Sequence, residues 1–224
     1  MSNFIIAAII IVHTAVLTCY CILEKRSDNF QKATLVKVLL SAFTAGISVY
    51  AAILLSNHVF LIFAIGLVLA VPADYFLQYI KTNLTKYRIG ITLFGLMHVC
   101  LLTSFYLTNP VSFYEFIIFA VFLISILVFQ IKGKWKIGKE KAQINVYTVF
   151  VLFMSAKTIS IFIVAPTIST AILAIGGLLF FISDLFLGIW AYSGKDTYVN
   201  LVINRATYFV AQLCFALYLA TMLL

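Results

Sequence analysis

Apolar residues in this chain neither alternate with polar ones nor recur on a single helical stripe; they run in long blocks broken by short polar segments. The blocks cover residues 3–22, 35–55, 58–79, 87–107, 111–131, 143–164, 169–191 and 203–223. Each has the roughly 20 residues that a helix needs to cross the hydrocarbon core, where backbone polar groups must pair within their own segment. The pattern predicts an all-α membrane protein of eight transmembrane helices, with almost nothing left for a soluble domain, so that residues 1–224 form a single transmembrane domain. The first block follows only Met1 and Ser2, with no basic segment before it and no small-residue cleavage site after it. It is expected to persist as a helix rather than be removed as a signal peptide.

Composition agrees, with 64% hydrophobic and 10% charged residues and a mean hydropathy of +1.14, far outside the soluble globular range. The net charge of +8 would suit nucleic acid, but its distribution points to topology instead. Lys25, Arg26 and Lys32 follow the first block; Lys81, Lys86 and Arg88 the third; Lys132, Lys134, Lys136, Lys139 and Lys141 the fifth; Lys195 the seventh. The alternate loops, around Asn57, Asn109 and Pro166, carry no Lys or Arg. The positive-inside rule then places both termini outside and the basic loops in the cytoplasm, as in a multi-pass protein of the cell membrane. The longest basic loop, IKGKWKIGKEKAQ, can also contact anionic membrane lipid. Cys19, Cys21, Cys100 and Cys214 all lie within blocks, and Cys19-x-Cys21 lacks zinc-site spacing, so neither a disulfide nor a metal is expected.

An internal repeat is visible. GLVLAVPADYFL, ending after Asp74, aligns with GGLLFFISDLFL, ending after Asp184, 110 residues on, and both read G-x7-D-x-F-L. At 24 residues past each aspartate stands another polar residue within a block, His98 and Tyr208. The chain reads as two four-helix halves, about 1–108 and 109–224, in a parallel pseudo-repeat about an axis along the membrane normal, an arrangement that commonly buries a site between the halves.

Within the blocks the ionisable groups are Lys37, Asp74, His98, Glu115, Lys157, Asp184 and Arg205. Such groups cost about 2.5–3.5 kcal/mol each near the bilayer centre even on the lenient insertion scale, so they turn inward and pair or do chemistry. Asp74 and Asp184 fall at one depth, in the cytoplasmic half. Lys37 and the Arg205, Tyr208, Gln212 stripe lie in the same slab, the latter three at i, i+3 and i+7 on one helix face. Two readings follow. Lys37 and Arg205 can neutralise the two aspartates as packing ion pairs, or the two carboxyls can converge as an acid and a base. Pro72 is expected to loosen the helix beside Asp74. His98 can pack or line a site; Glu115 is expected to reach interfacial water, Lys157 to snorkel outward, and Gly176 and Gly177 to permit close helix approach. His13, His58 and His98 lie at different depths, which argues against a three-histidine zinc site.

GGLLFFISDLFLGI with ATYFVAQLCFAL after it resembles the last two helices of the lysoplasmalogenase-like (YhhN) membrane proteins, with their G-x-x-x-F-x-x-S-D and Y-x-x-A-Q stretches. Tyr208, Ala211 and Gln212 match the second. Lys37 stands where the family has Lys-Pro, Asp74 where it has Gly-Asp, and His98 follows in place, so the resemblance spans roughly residues 35–220. Val38 and the PAD around Asp74 depart from that pattern, and Lys157 is a further departure. The resemblance implies hydrolysis of a lysophospholipid vinyl ether to a fatty aldehyde and a glycerophospho-headgroup, without cofactor, metal or nucleic acid. Asp74 and Asp184 would be catalytic, and Lys37, His98, Arg205, Tyr208 and Gln212 would bind substrate. Protonating a vinyl ether carbon gives an oxocarbenium ion that water attacks, which suits one neutral and one ionised carboxyl. A proton-coupled transporter would also use paired acids in a repeated bundle. The G-x-G-D motif expected of an intramembrane aspartyl protease is absent.

Overall fold

A computed structural model describes residues 3–24 and 30–223; Met1, Ser2, Lys25 and Arg26, used above to read topology, lie outside the described residues. The described residues form eight helices: α1 (Asn3–Glu24), α2 (Phe30–Leu54), α3 (His58–Leu77), α4 (Leu84–Thr108), α5 (Phe113–Gly133), α6 (Lys141–Val164), α7 (Ile168–Tyr192) and α8 (Tyr198–Thr221). All eight are long and apolar enough to cross a membrane, and no strand occurs among the described residues.

Helix ends differ from block ends for a physical reason. Hydropathy marks where hydrocarbon would stop, whereas capping marks where the backbone stops being helical. α8 begins at Tyr198 rather than 203 because the Thr197 side chain accepts from the Asn200 N–H. Asn57, Asn83, Ser112 and Thr167 start α3, α4, α5 and α7 in the same way, each satisfying an amide that a helix start leaves unpaired. α2 begins at Phe30 rather than 35, since Gln31, Lys32 and Ala33 tolerate a helix and no Gly or Pro intervenes. α3 runs continuously through Pro72, so the expected loosening is not a break.

Six helices close a ring in the order α2, α3, α4, α6, α7, α8 and back to α2, with α1 against α2 and α8, and α5 against α6 and the edge of α7. Lipid gives apolar faces no incentive to associate, so close packing and polar contacts must hold such a ring. A Cβ on Gly177 would sit 1.8 Å from Thr158 Oγ1, and one on Gly176 2.9 Å from Cys214 Cβ, so both glycines serve the close approach expected of them. The ring interior is aromatic: Phe63 meets Phe105, Phe215 and Tyr218, and Phe180 meets Phe215, Tyr208 and His98, mostly edge to face.

The described basic loops gather at one end of the bundle. Lys81 pairs with Asp196 at 3.3 Å, the Lys136 N–H donates to Tyr192 O at 2.9 Å, and Gln143 Nε2 donates to Arg88 O at 2.8 Å. Toward the other end, Glu115 and Lys157 correct their expectations. Glu115 does not reach water and Lys157 does not snorkel: they pair with each other at 3.0 Å, each 1% exposed. Lys157 also donates to Pro110 O at 2.6 Å, joining α6 to α5 and to the turn before it. A charge on a peripheral helix is cheaper to pair across its one packed face than to leave in lipid.

Candidate functional site

Asp74 lies in the last turn of α3, facing the first turns of α2, and it is fully enclosed. Lys37 Nζ stands 3.2 Å from its Oδ1 and donates to its main-chain carbonyl at 3.1 Å. That cation thus serves both the carboxylate and a carbonyl at the negative end of a helix. Ser41, one turn on from Lys37, donates to Oδ2, as does Tyr208 from α8 at 2.6 Å. Gln212 donates in turn to the Tyr208 hydroxyl and accepts from Thr44 at 3.1 Å. Asp74 is therefore paired with a lysine through Oδ1 and accepts two hydrogen bonds at Oδ2, in a network linking α2, α3 and α8.

Asp184 is held differently. On α7, its Oδ2 accepts from Tyr147 of α6 at 2.7 Å, and no Lys or Arg lies within ion-pair distance of it among the described residues. Beside it, Asn204 donates to Ser183 O and Oγ at 2.9 and 2.8 Å, fixing α8 to α7. The cations of the slab are already committed. Arg205 reaches away to Glu24 at the end of α1, with its Nη2 3.2 Å from Oε1. Of the packing pairs considered from sequence, Lys37 with Asp74 forms and Arg205 with Asp184 does not.

The two aspartates wall one small cavity of about 260 Å³, mouth included, with Leu77, Phe94, Leu187, Asn204 and Tyr208 among its other walls. Asp184 also opens onto a larger, mainly apolar chamber of about 670 Å³, mouth included, between α4, α6 and α7. It is thus the carboxyl that connects the two spaces, which is why it keeps some exposed surface inside the bundle.

Of the residues singled out from sequence, Asp74, Asp184, Arg205 and Tyr208 line the shared cavity. Lys37 and Gln212 stand behind it, touching Asp74 and Tyr208 respectively. Lys37 and Arg205, which the resemblance implies bind substrate, each face a carboxylate, because an unpaired cation enclosed in the bundle would be costly. His98 is fully enclosed, 4.9 Å from Phe180 and 5.5 Å from Tyr147 between ring centroids, and stands outside the cavity walls. Tyr147, Ser41, Asn204 and Glu24 were missed. Tyr147 had a signal: it precedes Asp184 by 37 residues, as Lys37 precedes Asp74. Glu24 had none, since it reads as the first residue of a charged loop. No group of three or more metal-ligating side chains occurs among the described residues.

A family model described as the YhhN family matches residues 30–219, and the chain belongs to that family. No curated protein and no solved structure matches it.

Proposed function

From membership of the YhhN family and the contrast between the two aspartates, we propose that this protein hydrolyses the vinyl ether of a lysoplasmalogen-type lysophospholipid. Asp184 is the proton donor. A carboxyl facing an apolar chamber without a cation is held neutral, because an uncompensated charge there would cost far more than a proton. It protonates the outer vinyl carbon, and the double-bond electrons form that C–H bond while the ether oxygen shares the resulting cation. Asp74, fixed as an anion by Lys37, stabilises the oxocarbenium ion across the shared cavity. Asp184, now ionised, takes a proton from the attacking water, as a glycosidase acid does when it turns base. The hemiacetal then collapses, its hydroxyl proton passing to the departing glycerol oxygen, to leave fatty aldehyde and a glycerophospho-headgroup.

The observation that carries this reading is that two carboxyls wall one cavity, one paired with lysine and the other, among the described residues, hydrogen-bonded to a tyrosine hydroxyl and to no cation. Purified protein in detergent should release aldehyde from 1-alkenyl lysophospholipid with chelator present. Absence of turnover by folded protein on any such lipid would refute the reaction and turn attention to proton-coupled transport. The basic loops are proposed to face the cytoplasm, with the site in that half. In a cysteine-free functional variant, Cys at Lys134 should resist an impermeant thiol reagent in intact cells and Cys at Asn109 should react; the reverse pattern would invert the bundle.

A further inference from the structure

After α5 the chain turns back over the basic end of the bundle. Lys134 takes a left-handed conformation, φ 47° and ψ 49°, which is unfavourable for a residue with a Cβ. The turn lays Trp135 across α7, where a Cβ on Gly188 would stand 2.2 Å from the indole Cη2. A Cβ on Gly133 would stand 2.6 Å from its Nε1. Only glycine leaves room for the ring at either place. Trp135 remains half-exposed, and its Nε1 has no acceptor among the described residues.

The ring divides two spaces. On one side lies the apolar chamber that reaches Asp184. On its other side lies a cleft of about 730 Å³, mouth included, with an apolar floor of Val128, Phe129 and Ile189 and with Lys132, Ser193 and Lys195 at its rim, and Trp135 belongs to both walls. An exposed pair of lysines against an apolar chamber matches a phosphate carried on a single hydrocarbon chain. The chamber extends along α7 from Tyr192 to Phe181, about 16 Å of helix, and Asp184 lies about 13 Å below Ser193. We propose that cleft and chamber form one binding site for a single-chain phospholipid, with its phosphate between Lys132 and Lys195, its chain passing Asp184, and Trp135 the partition that swings aside to admit it. As the substrate site this rests on the hydrolytic reading; as a binding site it is tested independently.

The protein has two tryptophans, so Trp190→Phe leaves Trp135 as the sole indole. The probe is 1-acyl lysophosphatidylcholine brominated on its chain, which has no vinyl ether, added to this variant in nanodiscs. Quenching of Trp135 should saturate. The half-saturating concentration should rise about tenfold or more in Lys132→Gln/Lys195→Gln, which changes only exposed side chains, and in Thr148→Phe, which fills the chamber. Brominated diacyl phosphatidylcholine should quench without saturating. Non-saturable quenching by the lysolipid, unchanged half-saturation in both variants, or saturable quenching by the diacyl lipid would each overturn the proposal. Asp184→Asn should keep saturable quenching. If binding saturates and no aldehyde is ever released, the reaction fails and the site stands; if aldehyde is released and no quenching saturates, the site fails alone.

Discussion

Asp74 and Asp184 occupy the same place in the proposed halves and wall one cavity, yet their surroundings are opposite. The difference begins 37 residues upstream of each, where α2 presents Lys37 and α6 presents Tyr147. Lysine sets a full positive charge beside its aspartate; a tyrosine hydroxyl supplies a hydrogen bond that suits either protonation state. Ser41 and Tyr208 reinforce the first case, while the chamber beside Asp184 reinforces the second. Two acids related by position are thus made chemically unlike by what faces them, which is the contrast that the proposed acid–base pair requires.

The comparison is broken most severely at the proposed donor. Asp184→Asn should lower aldehyde release by about 10²- to 10⁴-fold, the usual worth of a positioned acid–base group, while leaving the melting temperature in detergent almost unchanged, because the amide oxygen still accepts from Tyr147. A variant retaining more than a tenth of wild-type release would remove Asp184 from the mechanism.

Asp74→Asn should differ in kind. It strands Lys37 in the bundle, so activity falls together with stability, by about 3–5 kcal/mol as for other broken buried pairs. Lys37→Met should cost a similar amount, and Lys37→Met/Asp74→Asn should cost less than the sum of the two. A thermal-melt cycle with additive losses would mean that the two groups are not coupled.

Glu115→Gln tests whether any buried pair matters to chemistry. It should lower the melting point by breaking the contact with Lys157, yet leave aldehyde release per folded molecule unchanged, since neither residue lines the cavity or the chamber. Reduced turnover at a temperature where the variant is fully folded would tie the far end of the bundle to the site.

The smallest effect is expected for Tyr147→Phe, which removes one hydrogen bond worth about 1 kcal/mol. Aldehyde release should fall by about tenfold or less, with little change in melting, and Tyr208→Phe should disturb melting more because it opens the Asp74 network. Equal effects of the two phenylalanines would erase the contrast between the aspartates.

Much of this was legible before any coordinates. Eight runs of apolar residues fixed the class, and the rarity of charge within them picked out Asp74 and Asp184, because an ionisable group in hydrocarbon needs a reason that a surface group does not. The i, i+3, i+7 spacing of Arg205, Tyr208 and Gln212 likewise placed three polar groups on one face of α8, and Tyr208 and Gln212 do join the network of Asp74. Partner choice was not legible. Arg205 pairs with Glu24, which lies 181 residues away in the chain, and Lys157 pairs with Glu115 rather than leaving the membrane. Local sequence sets how deep a side chain lies and which face of its helix carries it, since both follow from a rise of about 1.5 Å and a turn of about 3.6 residues. Which of several like charges at one depth lies opposite a given carboxyl depends on the order in which helices close the ring, and so does the meeting of a loop tryptophan with a glycine on α7. Those contacts join segments far apart in the chain, and only the tertiary structure decided them.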